Sequence, residues 1–310
     1  MKKMFMAVIA LMMTISASAQ FYIYCSDGNV IKVDSISMIA PADEPDTPIE
    51  PEEPDTPTEP EEPTNSSAGI GVFSVGEGKT VTFSKGNLQY HPANDEWRFA
   101  ENQLDYIGEA NANISSTYNG WLDLFGWSTS ATNFGVSTSK DNNDYAGSFA
   151  DWGTNKIGDD APNTWRTLTD DEWNYLTDIR ANANDLYGVA QVNGVNGLIL
   201  LPDNWICPVG VTFKSGSHSS EGVDYYAAYQ TFTAEQWSKL ESAGAVFLPA
   251  AGYRYGSGVG NVQYYGYYWS ATEYNSYYYA YFLYFRSDEA GMINDTRTAG
   301  YSVRLVKDVE

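Results

Sequence analysis

The stretch YYGYYWSATEYNSYYYAYFLYF, from Tyr264 to Phe285, carries the strongest fold signal in the chain. Half of the chain's 24 tyrosines lie between Tyr253 and Tyr284. Aromatic residues favour strands, so the pattern predicts two β-strands, YYWSAT and YAYFLYF, joined by a turn. Tyrosine also combines a large contact area, few rotatable bonds and a hydrogen-bonding hydroxyl. The stretch therefore predicts a recognition surface as well as a sheet.

Alternation along the second strand assigns Leu283 and Arg286 to opposite faces. We expect the face of Leu283 to be buried and the other face to meet a ligand, and we expect Trp269 to pack in the core. Loop residues before and between the strands can join the surface, because binding residues concentrate in loops. The predicted ligand-binding residues are Tyr255, Tyr265, Tyr267, Tyr274, Asn275, Tyr277, Tyr278, Phe282, Tyr284 and Arg286. The alternative is that many of these rings only pack against one another.

Two helix starts are predicted upstream of this stretch. In LTDDEWNYL, Thr169 is expected to be the N-cap and Glu172 to complete a capping box. In FTAEQWSKL, Thr233 and Gln236 repeat the device. Each cap follows an apolar residue and precedes a tryptophan by four positions, which predicts a hydrophobic staple at each helix.

The remaining strand signals are GVFSV, TVTFS, NLQY, WRFA, GLILLP, AVFLP and YSVRLV. Strands outnumber helices and cluster near the C-terminus, which predicts an α+β fold with two helices and a mainly antiparallel sheet. Residues 111–163 are rich in Gly, Ser, Asn and Asp and are predicted to form long ordered loops. We expect a single domain over residues 69–307.

The first 19 residues are predicted to be a signal peptide. Lys2 and Lys3 precede the apolar run Met4 to Ile15, and a small-residue cleavage site follows at 17–19. The alternative is an uncleaved signal anchor. Because Cys25 does not directly follow the cleavage site, the chain is expected to be exported without a lipid anchor and without membrane insertion after cleavage.

Two further segments are predicted before the domain. Residues 20–40 form a short β-rich segment with a turn at Asp27-Gly28. Residues 41–68 form a disordered acidic linker with proline at every third position from 45 to 63, which is the repeat of polyproline II. We interpret this linker as a spacer.

The formal net charge is −23, and ten of the negative charges lie in residues 43–62. This balance argues against nucleic acid or an anionic membrane as a partner. The chain has two histidines, and no residue pattern predicts a cofactor or a metal. Its two cysteines do not make a disulfide framework, and Cys207, within the apolar segment NWICPVG, is predicted to be a buried, inert thiol.

Five segments occur in the order WRTLTDDEWNYL, GLILLPDNW, AVFLPAAGYR, YYWSAT and GYSVRLV. In this combination the chain resembles the Fibrobacter succinogenes major paralogous domain family and its relatives among secreted bacterial proteins. Those domains are similar to the C-type-lectin-like fold of formylglycine-generating enzymes, whose hallmarks include a Thr-x-x-Glu-Trp helix start and a C-terminal Gly-Phe-Arg-Leu-Val type strand. The resemblance covers most of residues 70–307 and implies a C-type-lectin-like domain.

The chain departs from these families at their functional residues. Formylglycine-generating enzymes use a pair of active-site cysteines, and this domain has only Cys207, so that activity does not carry over. The Glu-Pro-Asn, Gln-Pro-Asp and Trp-Asn-Asp triplets of calcium-dependent lectins are absent. The C-terminal region also resembles variable proteins of diversity-generating retroelements, which often diversify exposed positions near the C-terminus.

Three functional hypotheses follow. The first is an exported, non-enzymatic module that binds a protein or glycan surface through the tyrosine-rich region. The second is a carbohydrate-active enzyme, which requires two carboxylates facing each other across an aromatic groove. The third is a structural surface or fimbria-like component in which the N-terminal strand segment pairs with a partner chain.

Overall fold

The computed structural model describes residues 71–274 and 278–309, together with two short strands near the N-terminus. The chain divides into two compact units, Met1–Glu62 and Pro63–Glu310. In the first unit, β1 (Phe21–Tyr24) pairs antiparallel with β2 (Val30–Val33), as predicted for residues 20–40. The predicted signal peptide, the Asp27-Gly28 turn and the linker at 41–68 lie outside the described residues.

The second unit is a mixture of helices and strands in which strands predominate, as the α+β prediction requires. Its strands are β3 (Phe73–Gly76), β4 (Lys79–Phe83), β5 (Leu88–His91), β6 (Glu96–Phe99), β7 (Tyr187–Val192), β8 (Val195–Leu200), β9 (Thr231–Phe232), β10 (Val246–Pro249), β11 (Tyr253–Tyr255), β12 (Gly258–Gly260), β13 (Gly266–Tyr274), β14 (Tyr279–Arg286), β15 (Glu289–Thr296), β16 (Ala299–Gly300) and β17 (Val306–Asp308). Its α-helices are α1 (Asp170–Asn174), α2 (Val223–Tyr229) and α3 (Ala234–Ser242).

The strands form several small sheets instead of the one sheet that was predicted. Their orders are β10-β8-β7-β9, β12-β11-β16, β13-β14-β15, β17-β4-β3 and β5-β6. Pairing is antiparallel in all of them except between β7 and β9. The sheet β13-β14-β15 contains the sequence from which the fold was predicted.

The predicted strand YSVRLV is mostly wrong, because only its last residue, Val306, belongs to a strand. Residues 301–305 are buried and bond alternately to different neighbours. Ser302 exchanges backbone hydrogen bonds with Tyr267 and Trp269, whereas the carbonyls of Val303 and Leu305 accept from the β4–β5 region. This alternation prevents a continuous ladder with any one strand.

Both predicted capping boxes are confirmed. The Thr169 hydroxyl accepts from the Glu172 amide at 3.2 Å, and the Glu172 carboxylate accepts from the Thr169 amide at 2.9 Å. Thr233 and Gln236 make the equivalent pair of bonds at 3.2 and 3.0 Å. The helix begun by α1 continues as a π-helical turn over Tyr175–Ile179.

Helix α2 was not predicted, so the expectation of two helices is wrong. Its N-cap is Gly222, whose missing side chain cannot accept a hydrogen bond from the first turn. The helix instead gains stability from tertiary contacts. Tyr226 is fully buried, and its hydroxyl donates to the Tyr264 carbonyl at 3.0 Å.

The middle of the β13–β14 pair is buried on both faces. One hydrophobic cluster contains Tyr268, Leu283 and Phe285. A second cluster contains Trp269 and Phe282 on the opposite face, together with loop residues that include Leu122, Phe125 and Trp127. The prediction that Trp269 packs in the core is confirmed.

Buried arginines hold the long loops against the sheets. Arg297 donates to the carbonyls of Tyr279 and Gly147 at 3.2 and 3.1 Å, and its guanidinium lies 4.2 Å from the centre of the Trp127 ring. Arg254 donates to the carbonyls of Leu124 and Gly256. Each guanidinium therefore satisfies carbonyls on segments that no strand ladder connects.

Candidate functional site

Four partly buried tyrosines form a connected group of rings at one end of the β13–β14 pair. We call Tyr253, Tyr265, Tyr267 and Tyr284 the tyrosine cluster. The Tyr267 ring centroid lies 5.9 Å from that of Tyr253, 6.1 Å from that of Tyr265 and 5.6 Å from that of Tyr284. These separations are typical of favourable edge-to-face and tilted aromatic contacts.

Strand register and a glycine together produce this arrangement. Tyr267 and Tyr284 are direct partners in the β13–β14 pair, so their rings stand side by side on one face. Gly266 lies beneath the Phe285 ring, and a Cβ at this position would come within 2.0 Å of that ring. The absence of a side chain at Gly266 thus allows Phe285 to cross β13 on the opposite face.

The cluster rests on a buried aromatic layer. Tyr267 stacks on Tyr301 with ring centroids 4.7 Å apart and an interplanar angle of 12°. Tyr301 contacts Trp269 and Phe282, and its hydroxyl donates to Asp295 at 2.8 Å. Because Tyr301 is buried, this stacking holds the Tyr267 ring in one orientation.

Polar groups surround the cluster. The Asn261 amide donates to the Tyr267 hydroxyl at 3.3 Å, and the Tyr265 hydroxyl lies 3.5 Å from the Glu221 carboxylate. Arg286 forms ion pairs with Glu221, with Asp288 at 2.7 Å and with Glu289 at 3.1 Å. Its charge is thus balanced locally by acids.

Two hydroxyls of the cluster, those of Tyr267 and Tyr284, remain protonated at neutral pH because their pKa values are raised. Burial raises the pKa of Tyr267 to about 12. Burial also raises the pKa of Tyr284, although the nearby Arg286 acts in the opposite direction. Both side chains therefore present neutral hydroxyls that can donate and accept hydrogen bonds.

Of the ten predicted site residues, Tyr265, Tyr267, Tyr284 and Arg286 come together here. Phe282 is wrong as a ligand-binding residue: it is only 1% exposed, because loop residues such as Phe125 cover the face that was expected to be open. Tyr255 is exposed but lies beside Lys140, whose ammonium is 4.6 Å from its ring centre.

Two further predicted residues, Tyr274 and Tyr278, lie at the opposite end of the β13–β14 pair. Tyr274 ends β13, and its ring contacts that of Tyr281 at 5.2 Å. Tyr278 is 42% exposed and directly precedes β14. Asn275 and Tyr277 lie outside the described residues.

The sequence prediction missed Tyr253, Glu221 and the β15 residues Gly291 and Ile293. Tyr253 reaches the cluster from a different sheet, and Glu221 approaches through the segment before α2. A Cβ built on Gly291 meets nothing within 4 Å, and Ile293 is 43% exposed. Only the high density of tyrosine in the sequence indicated Tyr253; strand β15 was not predicted at all.

A groove lies on a different part of the unit from the tyrosine cluster. This groove has a volume of about 670 Å³, and its walls include Phe83, Phe99 and Trp165. Three carboxylates line it. Asp308 is ion-paired with Arg166, Trp165 donates to Asp160 at 2.9 Å, and Gln103 donates to Glu241 at 2.9 Å.

The exposed Cys207 contradicts the prediction of a buried thiol. Its neighbours Ile206 and Val209 are also exposed, so the apolar character of this segment does not place it in the core. Within residues 71–274 and 278–309, no group of three His, Cys, Asp or Glu side chains is suited to hold a metal ion. No helix in the described part of the chain is both long and apolar enough to cross a membrane.

One protein family matches part of this chain. Its model, described as a domain of unknown function (DUF8237), matches residues 227–306, about a quarter of the chain. The matched segment includes all four members of the tyrosine cluster. No curated protein matches the chain, and no solved structure matches it.

Proposed function

We propose that this protein is an exported, non-enzymatic binding module whose tyrosine cluster contacts a protein or glycan surface. The observation that carries the proposal is the stacking of Tyr267 on the buried Tyr301. Rings that are already held in place lose little conformational entropy when a ligand binds. Their neutral hydroxyls can then make hydrogen bonds around an apolar contact.

We also infer that residues 69–307 form a C-type-lectin-like domain. Trp173 of the first capping-box helix is buried in the core, and so are Val303 and Leu305 of the GYSVRLV segment. The long loops of residues 111–163 are anchored by Trp127 and Trp152, which are also buried. These features agree with the resemblance found in the sequence.

Export is proposed from the signal-peptide pattern at residues 1–19, and the acidic proline repeat is proposed to act as a spacer before the domain. The proposed locations are the medium, the outer surface and the periplasm, so a labelled antibody against the folded domain should detect the protein in the medium, on intact cells or in the periplasmic fraction. Retention of uncleaved protein in the cytoplasm would contradict this part of the proposal.

The binding proposal is tested with the full exported chain on a glycan array and on a panel of purified extracellular proteins. We expect Tyr265→Ala to weaken binding of any ligand found by about ten-fold or more, since ring anchors dominate such interfaces. The control is Tyr279→Ala, because Tyr279 has an exposed ring (41%) at the far end of the hairpin. Equal effects of the two changes, with unchanged melting curves, would contradict a site at the cluster.

The groove lined by Asp160 and Glu241 favours a second candidate function, hydrolysis of a carbohydrate. Trp165 and Phe99 would contact the sugar rings, and the two carboxylates would act as acid and base or nucleophile. Release of reducing sugar from a polysaccharide panel should then be lost in Glu241→Gln and in Asp160→Asn. Release that survives both substitutions would exclude this groove as the catalytic site.

A further inference from the structure

Strand β15 is an edge strand of its sheet. The order is β13-β14-β15, and all eight residues of β15 pair with β14 in one uninterrupted register, from Arg286 with Glu289 to Tyr279 with Thr296. In the described part of the chain, no backbone hydrogen bond joins residues 289–294 to any strand other than β14. The outer side of β15 is therefore a regular edge about 26 Å long, at 3.3 Å per residue.

Protein edges of this length are usually blocked by bulges, prolines or central charges, or covered by another element. The middle of β15 contains no proline, no bulge and no charged residue. Its sequence is EAGMINDT, and its charged residues, Glu289 and Asp295, lie near the two ends. Between them, Gly291 has open space around it and Ile293 is exposed. The backbone of β15 is consequently accessible to another extended chain.

The edge is continuous with the tyrosine cluster. Gly291 is the β14–β15 partner of Tyr284, and Ile293 is the partner of Phe282. Residues paired in this way project from the same face of the sheet. A side chain on a strand added beside Gly291 would pass over a position without a side chain and reach the Tyr284 ring.

The charges around the edge are mainly negative. Glu221, Asp288 and Glu289 contact the single positive charge of Arg286 near one end of β15, and Asp295 lies near the other end. These five groups have a charge balance of 1 − 4 = −3. Arg286 is ion-paired with three of the acids and does not offset a further negative charge. A segment that carries Lys or Arg is attracted here, and its cations can also contact tyrosine faces.

We propose that the outer edge of β15 binds an extended, Lys- or Arg-containing segment of another protein as an added β-strand. This proposal deepens the proposed function, on which it rests, by naming the ligand as a basic polypeptide. Main-chain hydrogen bonds to β15 supply the alignment, and alternate side chains of the added strand contact the tyrosine cluster. The acids at both ends of β15 select the charge of the segment.

The probe is a synthetic peptide of four Lys-Val repeats, titrated into the full chain by isothermal calorimetry at low salt. A peptide of four Glu-Val repeats is the charge control, and we expect it to bind at least about ten-fold more weakly. Two versions of the basic peptide, each N-methylated at alternate residues along one edge, separate backbone from side-chain recognition. Methylation of one edge should abolish binding, while methylation of the other should leave it within about two-fold, because an added strand uses one edge.

A pair of substitutions at one exposed position tests the location. Ile293→Lys should lower the affinity for the basic peptide by about ten-fold or more, whereas Ile293→Glu should maintain or raise that affinity. Hydrogen exchange provides the direct readout: with the peptide bound, alternate amides of residues 289–296 that exchange quickly in the free protein should become protected. Equal affinity of both peptides, or no change of β15 exchange on binding, would overturn the proposal.

The same experiments distinguish other occupants and the failure of the broader proposal. A concentration-dependent dimer in sedimentation that Ile293→Lys disrupts would assign the edge to a second copy and overturn the basic-peptide assignment. Binding of a glycan that depends on Tyr265, with no peptide binding, would overturn the edge proposal but retain the proposed function. Peptide binding that depends on Ile293 but not on Tyr265 would support the β15 edge as the binding site and would contradict a role of the tyrosine cluster in it.

Discussion

Tyr267 and Tyr284 face each other across the β13–β14 pair with their ring centroids 5.6 Å apart. The stacking of Tyr267 on Tyr301 holds this pair from below, and the open space at Gly291 leaves Tyr284 accessible from the side of β15. One strand pair therefore connects the buried aromatic layer to the surface that we propose for binding. The two glycines around it have opposite roles, which gives the first prediction.

Gly266→Ala should destabilise the fold, whereas Gly291→Ala should not. A Cβ at Gly266 would come within 2.0 Å of the buried Phe285 ring, but a Cβ at Gly291 meets nothing within 4 Å. Overpacking of a core costs about 1–3 kcal/mol, while a change at an open surface position usually stays within about 0.5 kcal/mol. Urea unfolding of the two variants measures the difference. Equal stabilities would show that Phe285 can move aside.

Arg297→Lys should cost about 2–4 kcal/mol of unfolding free energy. The guanidinium donates to two loop carbonyls and to Tyr279, and it pairs with Glu273 at 2.9 Å. A lysine ammonium has only three donors and cannot span these acceptors, so buried carbonyls lose their partners.

Arg98→Lys is the matched control for the Arg297 prediction. Arg98 also lies over a tryptophan, 3.7 Å from the centre of the Trp121 ring, but it is only partly buried. Its substitution should cost less than about 1 kcal/mol, because water can replace the bonds that are lost. Similar losses for both variants in chemical denaturation would attribute the effect to the tryptophan contact and not to the carbonyls.

Cys207 should react with a maleimide in the native protein. Its side chain is exposed in a loop, so the thiol is accessible to the reagent without unfolding. The measurement is mass spectrometry of the Cys25→Ser variant, in which only Cys207 can be labelled. If labelling required denaturant, the thiol would be buried in solution, as the sequence alone predicts.

The elements that were predicted correctly are specified by local residue patterns. The capping boxes at Thr169 and Thr233 each depend on two residues three positions apart. The strands β13 and β14 follow from aromatic β-propensity over a short stretch. Such local patterns can be read from a few neighbouring residues, and they do not depend on which segments pack against the helix or strand.

The wrong predictions of burial concern residues whose exposure depends on which other segments pack against their strand or loop. Alternation correctly assigned Phe282 and Leu283 to opposite faces, but it does not reveal that loop residues more than a hundred positions away cover the face of Phe282. The exposed Cys207 is an error of the same kind, and the burial of Arg297 was not predicted, because burial depends on tertiary contacts. The tyrosine cluster could be predicted in part, since three of its four rings lie in or directly before β13 and β14, whereas Tyr253 arrives from another sheet.

The pH dependence of stability should be altered by the buried carboxyl of Asp123. It accepts hydrogen bonds from the Ile107 amide at 2.8 Å and from the Asn111 side chain at 2.8 Å, but burial has the larger effect and raises its pKa from 3.8 to about 6. A raised pKa means that the folded state holds the proton more tightly than the unfolded state. The stabilisation from this group is complete below pH 3.8 and is lost as the pH rises through 6.

The loss amounts to about 3 kcal/mol, since each unit of pKa difference corresponds to about 1.4 kcal/mol. Asp123→Asn removes the titration, so the difference in unfolding free energy between wild type and variant should change by this amount between pH 4 and pH 7. Comparison with the variant cancels the contributions of all groups that the two proteins share. Guanidinium unfolding at several pH values gives both curves, and parallel curves would show that Asp123 titrates alike in the folded and unfolded states.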